Sequence, residues 1–281
     1  MQLAVSLTSI DSRAGILRYC IDSLVRQALP PDVIYLNLSR EAYLLDDGIS
    51  EAPRWLSEPG YQNVKLNWVD NDGPYRKLLP AMALSADGDL VVTVDDDQIY
   101  AENWLGKLVD AAMKYPDHVI CGRAQRPKKN IFSGYQSYPN WDVVERSFRG
   151  ADLIPTGNAG ILYRKSLLDL DFLFDENRLT IAPTSDDLWV REASFRMSCP
   201  VLVVGGLAND RFRFRGGKSL ASTNTKLGRF KGRVRRGITN NFLVRKPALY
   251  LGLVKTNNDL SYLKIKHYSS SLGPPCSSTS K

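Results

Sequence analysis

The feature that most constrains this chain is the order of its first 125 residues, where short β-branched apolar runs alternate with amphipathic stretches. "LAVSLTSI" (3–10) has strand composition, and "SRAGILRYCIDSLVRQ" (12–27) places Ile16, Leu17, Cys20, Leu24 and Val25 on one helical face. "LPPD" stops that helix, because a proline has no amide hydrogen to give and its ring clashes one turn back. "VIYLNLS" (33–39) and "NVKLNWV" (63–69) read as the second and third strands, "DGDLVVTVDDD" as the fourth and "HVICGRAQR" as the fifth. Between them, "YRKLLPAMALS" predicts a helix kinked at its proline. "AENWLGKLVDAAMKYP" (101–116) predicts an amphipathic helix with Trp104, Leu105, Leu108, Ala111 and Ala112 on one side. Strand, helix, strand in this order implies right-handed parallel crossovers and an open α/β sheet with helices on both faces. In such sheets ligands bind beyond the carboxyl ends of the strands.

At that edge the fourth strand runs into three adjacent acids, Asp95, Asp96 and Asp97. Adjacent carboxylates repel one another, so folding alone does not favour them, and a nearby cation reverses the sign. Side chains alternate along a strand, so Asp95 and Asp97 are expected on one face and Asp96 on the other. Two such carboxylates suit Mg²⁺ or Mn²⁺ together with phosphate oxygens of a ligand. The plain alternative is a solvated acidic turn.

Three further stretches bear on chemistry. Asp186 and Asp187 sit at the start of a helix expected over 184–197, with Thr184 or Ser185 as its cap. One reading is two acids placed by the helix dipole; the other is a general base. Gly157-Asn158-Ala159-Gly160 allows close approach of backbone to a ligand or is an ordinary turn. Asp70 to Lys77, "DNDGPYRK", is a turn whose basic residues can meet phosphates and whose acids can meet base or ribose hydroxyls.

The formal charge is +7 and is uneven: residues 211–236 carry ten Lys or Arg and no acid. That segment is a solvated arm or a contact for a polyanion such as anionic lipid, nucleic acid or a phosphorylated substrate. The aromatic residues within it do not alternate as a base-stacking platform would, and the acidic motifs would be unexplained, so a nucleic-acid partner is not expected. The four cysteines are scattered without C-x-x-C spacing and are expected as free thiols. No apolar run approaches the roughly 20 residues of a membrane helix, and the first residues read as a strand rather than a signal peptide. A cytoplasmic location is the expectation, and the last residues, "HYSSSLGPPCSSTSK", have disordered composition.

In their order and spacing these features resemble the GT-A fold glycosyltransferases, nearest to the inverting family 2 group and its bacterial surface- and capsular-polysaccharide members. "VVTVDDDQIY" matches the DXD element, "GNAGILYRKSLL" the glycine loop, "TSDDLW" the acidic pair before a helix, and "NDGPYRKLLPAMAL" the stretch before the DXD strand. The resemblance spans residues 1–215. It implies a Rossmann-like nucleotide-binding half at 1–125, an acceptor half at 126–215 with Trp141 and Tyr135, and a basic C-terminal extension at 216–281, partly flexible.

It also implies a nucleoside-diphosphate sugar as donor, with Mn²⁺ or Mg²⁺. Asp95 and Asp97 would hold the metal, with His267 as a further ligand. Thr8, Ser9, Asp11, Asp70, Lys77, Asp95, Asp96, Gly157, Arg213 and Arg215 would lie about the donor. Asp187, beside Asp186, would be the base that deprotonates an acceptor hydroxyl. The acceptor would be a saccharide, free or lipid-linked, and an anionic membrane at the inner face of the cell membrane is a partner the basic arm admits. The acidic pair is Asp-Asp where Glu-Asp is usual. Retaining transfer and nucleotidyl transfer are the alternatives; the latter needs a Gly- and Arg/Lys-rich loop after the first strand, where "LTSIDSRAG" offers one arginine.

Overall fold

A computed structural model describes residues 1–214, 224 and 242–275, without the side chains of 242–244. The first half runs β1 (Leu3–Thr8), α1 (Ala14–Val25), β2 (Val33–Leu38), β3 (Val64–Trp68), α2 (Leu79–Leu84), β4 (Leu90–Thr93), β5 (Gln98–Tyr100) and α3 (Trp104–Lys114). Short strands follow: β6 (Val119–Cys121), β7 (Ala124–Arg126), β8 (Asp142–Val144), β9 (Phe148–Gly150), β10 (Ile154–Pro155) and β11 (Ile161–Tyr163). Then come α4 (Leu170–Phe174), α5 (Arg178–Ile181), α6 (Asp186–Arg196), β12 (Val201–Val203), β13 (Arg211–Arg213), α7 (Phe242–Tyr250) and α8 (Asn257–Ser271).

The central sheet has the order β3-β2-β1-β4-β11-β6-β12-β9. β1 pairs parallel with β2 and β4, β2 with β3, and β6 with β12, whereas β11 lies antiparallel between β4 and β6. Strand alternation divides the core into two layers. Val5, Leu7, Ile34, Leu36 and Val92 face α1 and α3, where Leu17, Ile21, Trp104 and Leu108 are buried. Ala4, Val33, Tyr35 and Val91 face α2, α4 and α6, where Met82, Phe172 and Trp189 are buried. Burial on both faces explains why these strands are unbroken apolar runs.

Two expectations are corrected. "HVICGRAQR" is not one strand. It bends at Gly122, where a Cβ would stand 2.7 Å from the Ala159 carbonyl oxygen. β6 then belongs to the central sheet, and β7 to a three-stranded sheet with β10 and β8. Residues 267–271, expected to be disordered, complete α8. That helix starts on a capping box between Thr256 and Asp259, and it buries Ile265 in the same core layer as Trp189. Cys20, Cys121 and Cys199 are buried free thiols, as expected; Cys276 lies outside the described residues. No helix among the described residues is long and apolar enough to cross a membrane.

Candidate active site

β4 ends at Thr93, and the acids follow in the turn before β5. The turn separates their roles. Asp96 is buried, accepts from Ser9 Oγ at 2.6 Å and pairs with Arg13 at 2.6 Å. Burial pushes its carboxyl up, while Arg13 and Ser9 pull it down. Asp97 is buried too; it accepts from Gln98 Nε2 at 2.9 Å and from Arg213 Nε at 3.3 Å. Arg213 reaches it because β13 pairs antiparallel with β5, aligning Arg213 with Gln98. The start of the basic segment, 211–213, is thus a strand rather than a solvated arm. Asp95 keeps the most open carboxylate, with its side chain 30% exposed.

Opposite β4, α6 begins at Asp186, and its first turn carries Asp186 and Asp187 toward the same space. Ser185 is the cap residue, but its hydroxyl donates to Asn258 Oδ1 at 2.9 Å instead of capping. Asp187 Oδ2 accepts from the Gly157 amide at 3.1 Å. The two acidic motifs meet through Lys77. Its ammonium lies 2.9 Å from Asp186 Oδ2, 3.6 Å from Asp187 Oδ1 and 3.6 Å from Asp95 Oδ1.

Lys77 is placed by the 3₁₀ turn Gly73–Lys77 after β3, which is tied down from three sides. Tyr75 donates its hydroxyl to the Ala182 carbonyl at 2.8 Å, Arg178 pairs with Asp72, and Arg76 pairs with Asp46 at 2.7 Å with both side chains buried. Burial opposes the Lys77 charge, but Asp186, Asp187 and Asp95 outweigh it and raise the ammonium well above the ordinary lysine value. Burial pushes the Asp187 carboxyl up to about 7, with Asp186 and Asp95 adding to the rise and Lys77 and the Gly157 amide opposing it.

These groups line one cleft of about 400 Å³ at the carboxyl edge of β1 and β4. Thr8, Ser9, Lys77, Asp95, Asp96, Asp97, Gly157, Asp186, Asp187 and Arg213 all border it. Asp11 and Asp70 are exposed and lie outside that lining, and Arg215 lies outside the described residues. His267 is not brought there either. It is exposed on α8, nine residues beyond the cleft-lining Asn258 and about 13 Å along the axis. His118 pairs with Asp117 and packs edge-on against Tyr115.

Sequence reasoning missed Arg13, Asp46, Arg123, Tyr138 and Asn258, all of which border the cleft, as does Arg76, one of the two basic residues of the 70–77 turn. Arg123 bridges Thr156 Oγ1 at 2.9 Å and Glu145. Its place beside the glycine at the end of β6 was the available signal. Of the acceptor-side aromatics, Trp141 is buried and Tyr135 is exposed.

The carboxylates and cations of the cleft nearly balance. Asp46, Asp95, Asp96, Asp97, Asp186 and Asp187 face Arg13, Arg76, Lys77, Arg123 and Arg213, six against five. Among the described residues no three acids, histidines or cysteines converge on one metal position. Asp95 and Asp187 are the two open carboxylates, about equally exposed, and such oxygens suit a hard divalent cation that takes most of its ligands from a bound diphosphate and water.

An open, mostly parallel sheet with acids at its carboxyl edge and a second acidic pair across the cleft is of GT-A architecture. The model of Glycosyl transferase family 2 matches residues 12–169, more than half of the 281, and the chain belongs to that family. Enzymes of that family are glycosyltransferases that use nucleotide-sugar donors and saccharide acceptors. No curated protein matches the chain. Solved structures similar to it include S. aureus TarS 1–349 in complex with UDP, 16% identical over 73% of this chain and 58% of that one, with a TM-score of 0.49. A longer S. aureus TarS chain is 17% identical over 73% of this chain and 35% of that one, at 0.48. A 4-diphosphocytidyl-2C-methyl-D-erythritol synthase is 13% identical over 77% and 94%, at 0.46. The chain thus spans little more than half of the shorter TarS chain and about a third of the longer.

Proposed function

We propose that this enzyme transfers a sugar, with inversion, from a nucleoside diphosphate to a hydroxyl of a free or lipid-linked saccharide in bacterial surface-polysaccharide or glycolipid synthesis. One observation carries the reading: Lys77 holds the donor-side Asp95 and the acceptor-side Asp187 about a single ammonium. The donor's nucleotide end lies along Thr8, Asp46 and Arg76, and its diphosphate lies at Asp95. Asp187 accepts the proton of the attacking hydroxyl. The new bond forms from that oxygen to the anomeric carbon as the bond to the diphosphate oxygen breaks on the opposite face. The nucleoside diphosphate leaves with the electron pair, beside Lys77 and Arg213.

A divalent Mn²⁺ or Mg²⁺, when bound, supplies charge neutralisation at that leaving group. Asp95 would hold it with the diphosphate oxygens, and Asp97 would join on release from Arg213. In this reading residues 1–215 are the catalytic unit, and the segment from 216 adds Asn258 to its acceptor side. Residence at the inner face of the cell membrane belongs to the same reading.

The test is a thermal-shift screen of UDP, GDP, CMP and dTDP with and without Mn²⁺. Stabilisation by one nucleotide that needs the metal is expected, about 2.7 kcal/mol at a hundredfold excess over Kd. It should disappear in Asp95→Asn. Metal-dependent stabilisation that survives this change would remove Asp95 from the donor site.

A further inference from the structure

We propose that the hairpin around Ile131 and Phe132, with the turn that follows α7, is a docking surface for an anionic lipid bilayer. This rests on the membrane residence in the reading above and deepens it by naming the surface that meets the lipid; vesicle binding is read separately from sugar transfer, so either can fail alone.

Residues 128–136 form a projecting hairpin, closed by the Lys129–Tyr135 bridge and by hydrogen bonds from Asn130 N to Gly134 O and from Gln136 N to Lys128 O. At its tip Ile131 is 76% exposed and Phe132 74% exposed. Beside it stands the turn after α7, with Leu253 61% exposed and Leu251 36% exposed. The two pieces are fastened together. Ile131 N donates to Tyr250 Oη at 3.1 Å and Ser137 N to Leu249 O at 2.9 Å. Backbone contact is so close that a Cβ on Gly252 would stand 2.3 Å from the Tyr135 carbonyl oxygen. The two apolar turns are therefore tied to each other through their backbones.

Isolated exposed apolar residues need no explanation, but four on two interlocked turns mark a contact surface. Charge selects the partner. Residues 126–141 carry three cations and no acid, and residues 242–257 also carry three and none. Arg126 and Lys128 are joined by Asp152 and Asp142, which the chain supplies from beyond the hairpin. Lys129 and Lys255 are exposed two residues from Ile131 and Leu253, and Arg245 and Lys246 are exposed on α7. Exposed apolar tips with exposed cations close by in the chain match the two layers of an anionic membrane, acyl chains beneath phosphate-bearing headgroups. A flat protein partner would leave such tips unfilled.

The surface also lies where a lipid-linked acceptor would need it. Tyr138 and Asn258 border the cleft, and Tyr138 N donates to Asp259 Oδ1 at 2.7 Å. The hairpin ends where the acceptor-side wall begins.

Flotation of the full chain tests this, using phosphatidylcholine vesicles with and without about one-third phosphatidylserine. The chain is expected to float with the anionic vesicles, to stay behind with neutral ones, and to lose binding as salt rises. The double change Ile131→Ser/Phe132→Ser should lower the partition coefficient roughly tenfold or more, with circular dichroism and melting temperature unchanged. Lys129→Gln/Lys255→Gln should lower it without touching the apolar tips. Phe212→Ser, exposed outside this surface, should bind as the parent does. Equal binding to neutral vesicles, no loss in the Ile131/Phe132 variant, or loss in Phe212→Ser alone would each overturn the proposal. A parent dimer that the Ile131/Phe132 change makes monomeric would overturn it in favour of a copy-to-copy interface.

Discussion

Lys77 Nζ stands 2.9 Å from Asp186 Oδ2, at the point where the end of β4 and the start of α6 come closest to sharing one charge. Its ammonium reaches Asp95, Asp186 and Asp187 together. Lys77→Met removes it and leaves three carboxylates to repel one another. Transfer should fall on the order of 100-fold, the usual effect of losing one group that meets developing charge. Lys77→Arg should recover part of that loss. Steady-state kinetics on both variants checks this, and a Lys77→Met enzyme with parental kcat/KM would remove the ammonium from the site's chemistry.

The Asp187 carboxyl, pushed up to about 7, sets a pH dependence. A base must be ionised to accept a proton, so kcat/KM should climb with pH and level off above about 7. Lys77 opposes the rise, so the limb should move to higher pH in Lys77→Met. Stability runs the other way. Between the ordinary aspartate value of 3.8 and about 7 the folded protein holds a proton that the unfolded chain has released. Folding stability therefore declines as pH rises through that window. Asp187→Asn should be inactive yet should melt higher than the parent above pH 7, with the gap closing below pH 4. Melting curves across that range measure it, and a constant gap would place Asp187 outside the buried cluster.

β1, β2 and β4 were legible because they are buried on both faces, which writes nearly continuous apolar runs into the sequence. β4 and its acids follow from that, as does the helix that opens with Asp186. What escaped was long-range. Arg13 on the approach to α1 and Ser9 after β1 meet Asp96 some 80 residues away, and nothing local to either signals the pairing. Alternation along the strand assigned Asp95 and Asp97 to one face. β4 ends at Thr93, so the acids lie in a turn, where a period of two no longer holds. α8 was hidden by its serine-rich sequence, although Thr256 and Asp259 carry the spacing of a capping box.

The turn geometry separates two neighbours of identical chemistry. Asp96 is buried against Arg13 and Ser9, so Asp96→Asn should cost stability, about 3 kcal/mol, because Arg13 loses its closest anion. Asp95 faces the cleft and Lys77 at 3.6 Å, so Asp95→Asn should lower activity and change unfolding by less than about 1 kcal/mol. Denaturant unfolding and transfer rates measured side by side distinguish them. The reverse pattern would mean that the acids have exchanged roles.

Two glycines three residues apart give the last contrast. A Cβ on Gly157 would fall 2.7 Å from Lys77 Nζ, at the far end of a side chain that can swing away, and 3.5 Å from Asp187 Oδ1. Gly157→Ala should thus fold normally and lose transfer, because the methyl displaces the ammonium from the three carboxylates. Gly160 differs in both backbone and surroundings. Its φ is +81°, and a Cβ would lie 2.1 Å from Trp104 Cζ2, inside a fully buried indole that donates to the Ala159 carbonyl at 3.2 Å. Neither ring nor backbone can yield that distance, so Gly160→Ala should destabilise by about 3 kcal/mol or more through overpacking and strain. Melting temperatures and kcat for the two variants decide the matter. A Gly157→Ala enzyme with parental kcat would show that Lys77 need not sit among the carboxylates for sugar transfer to proceed.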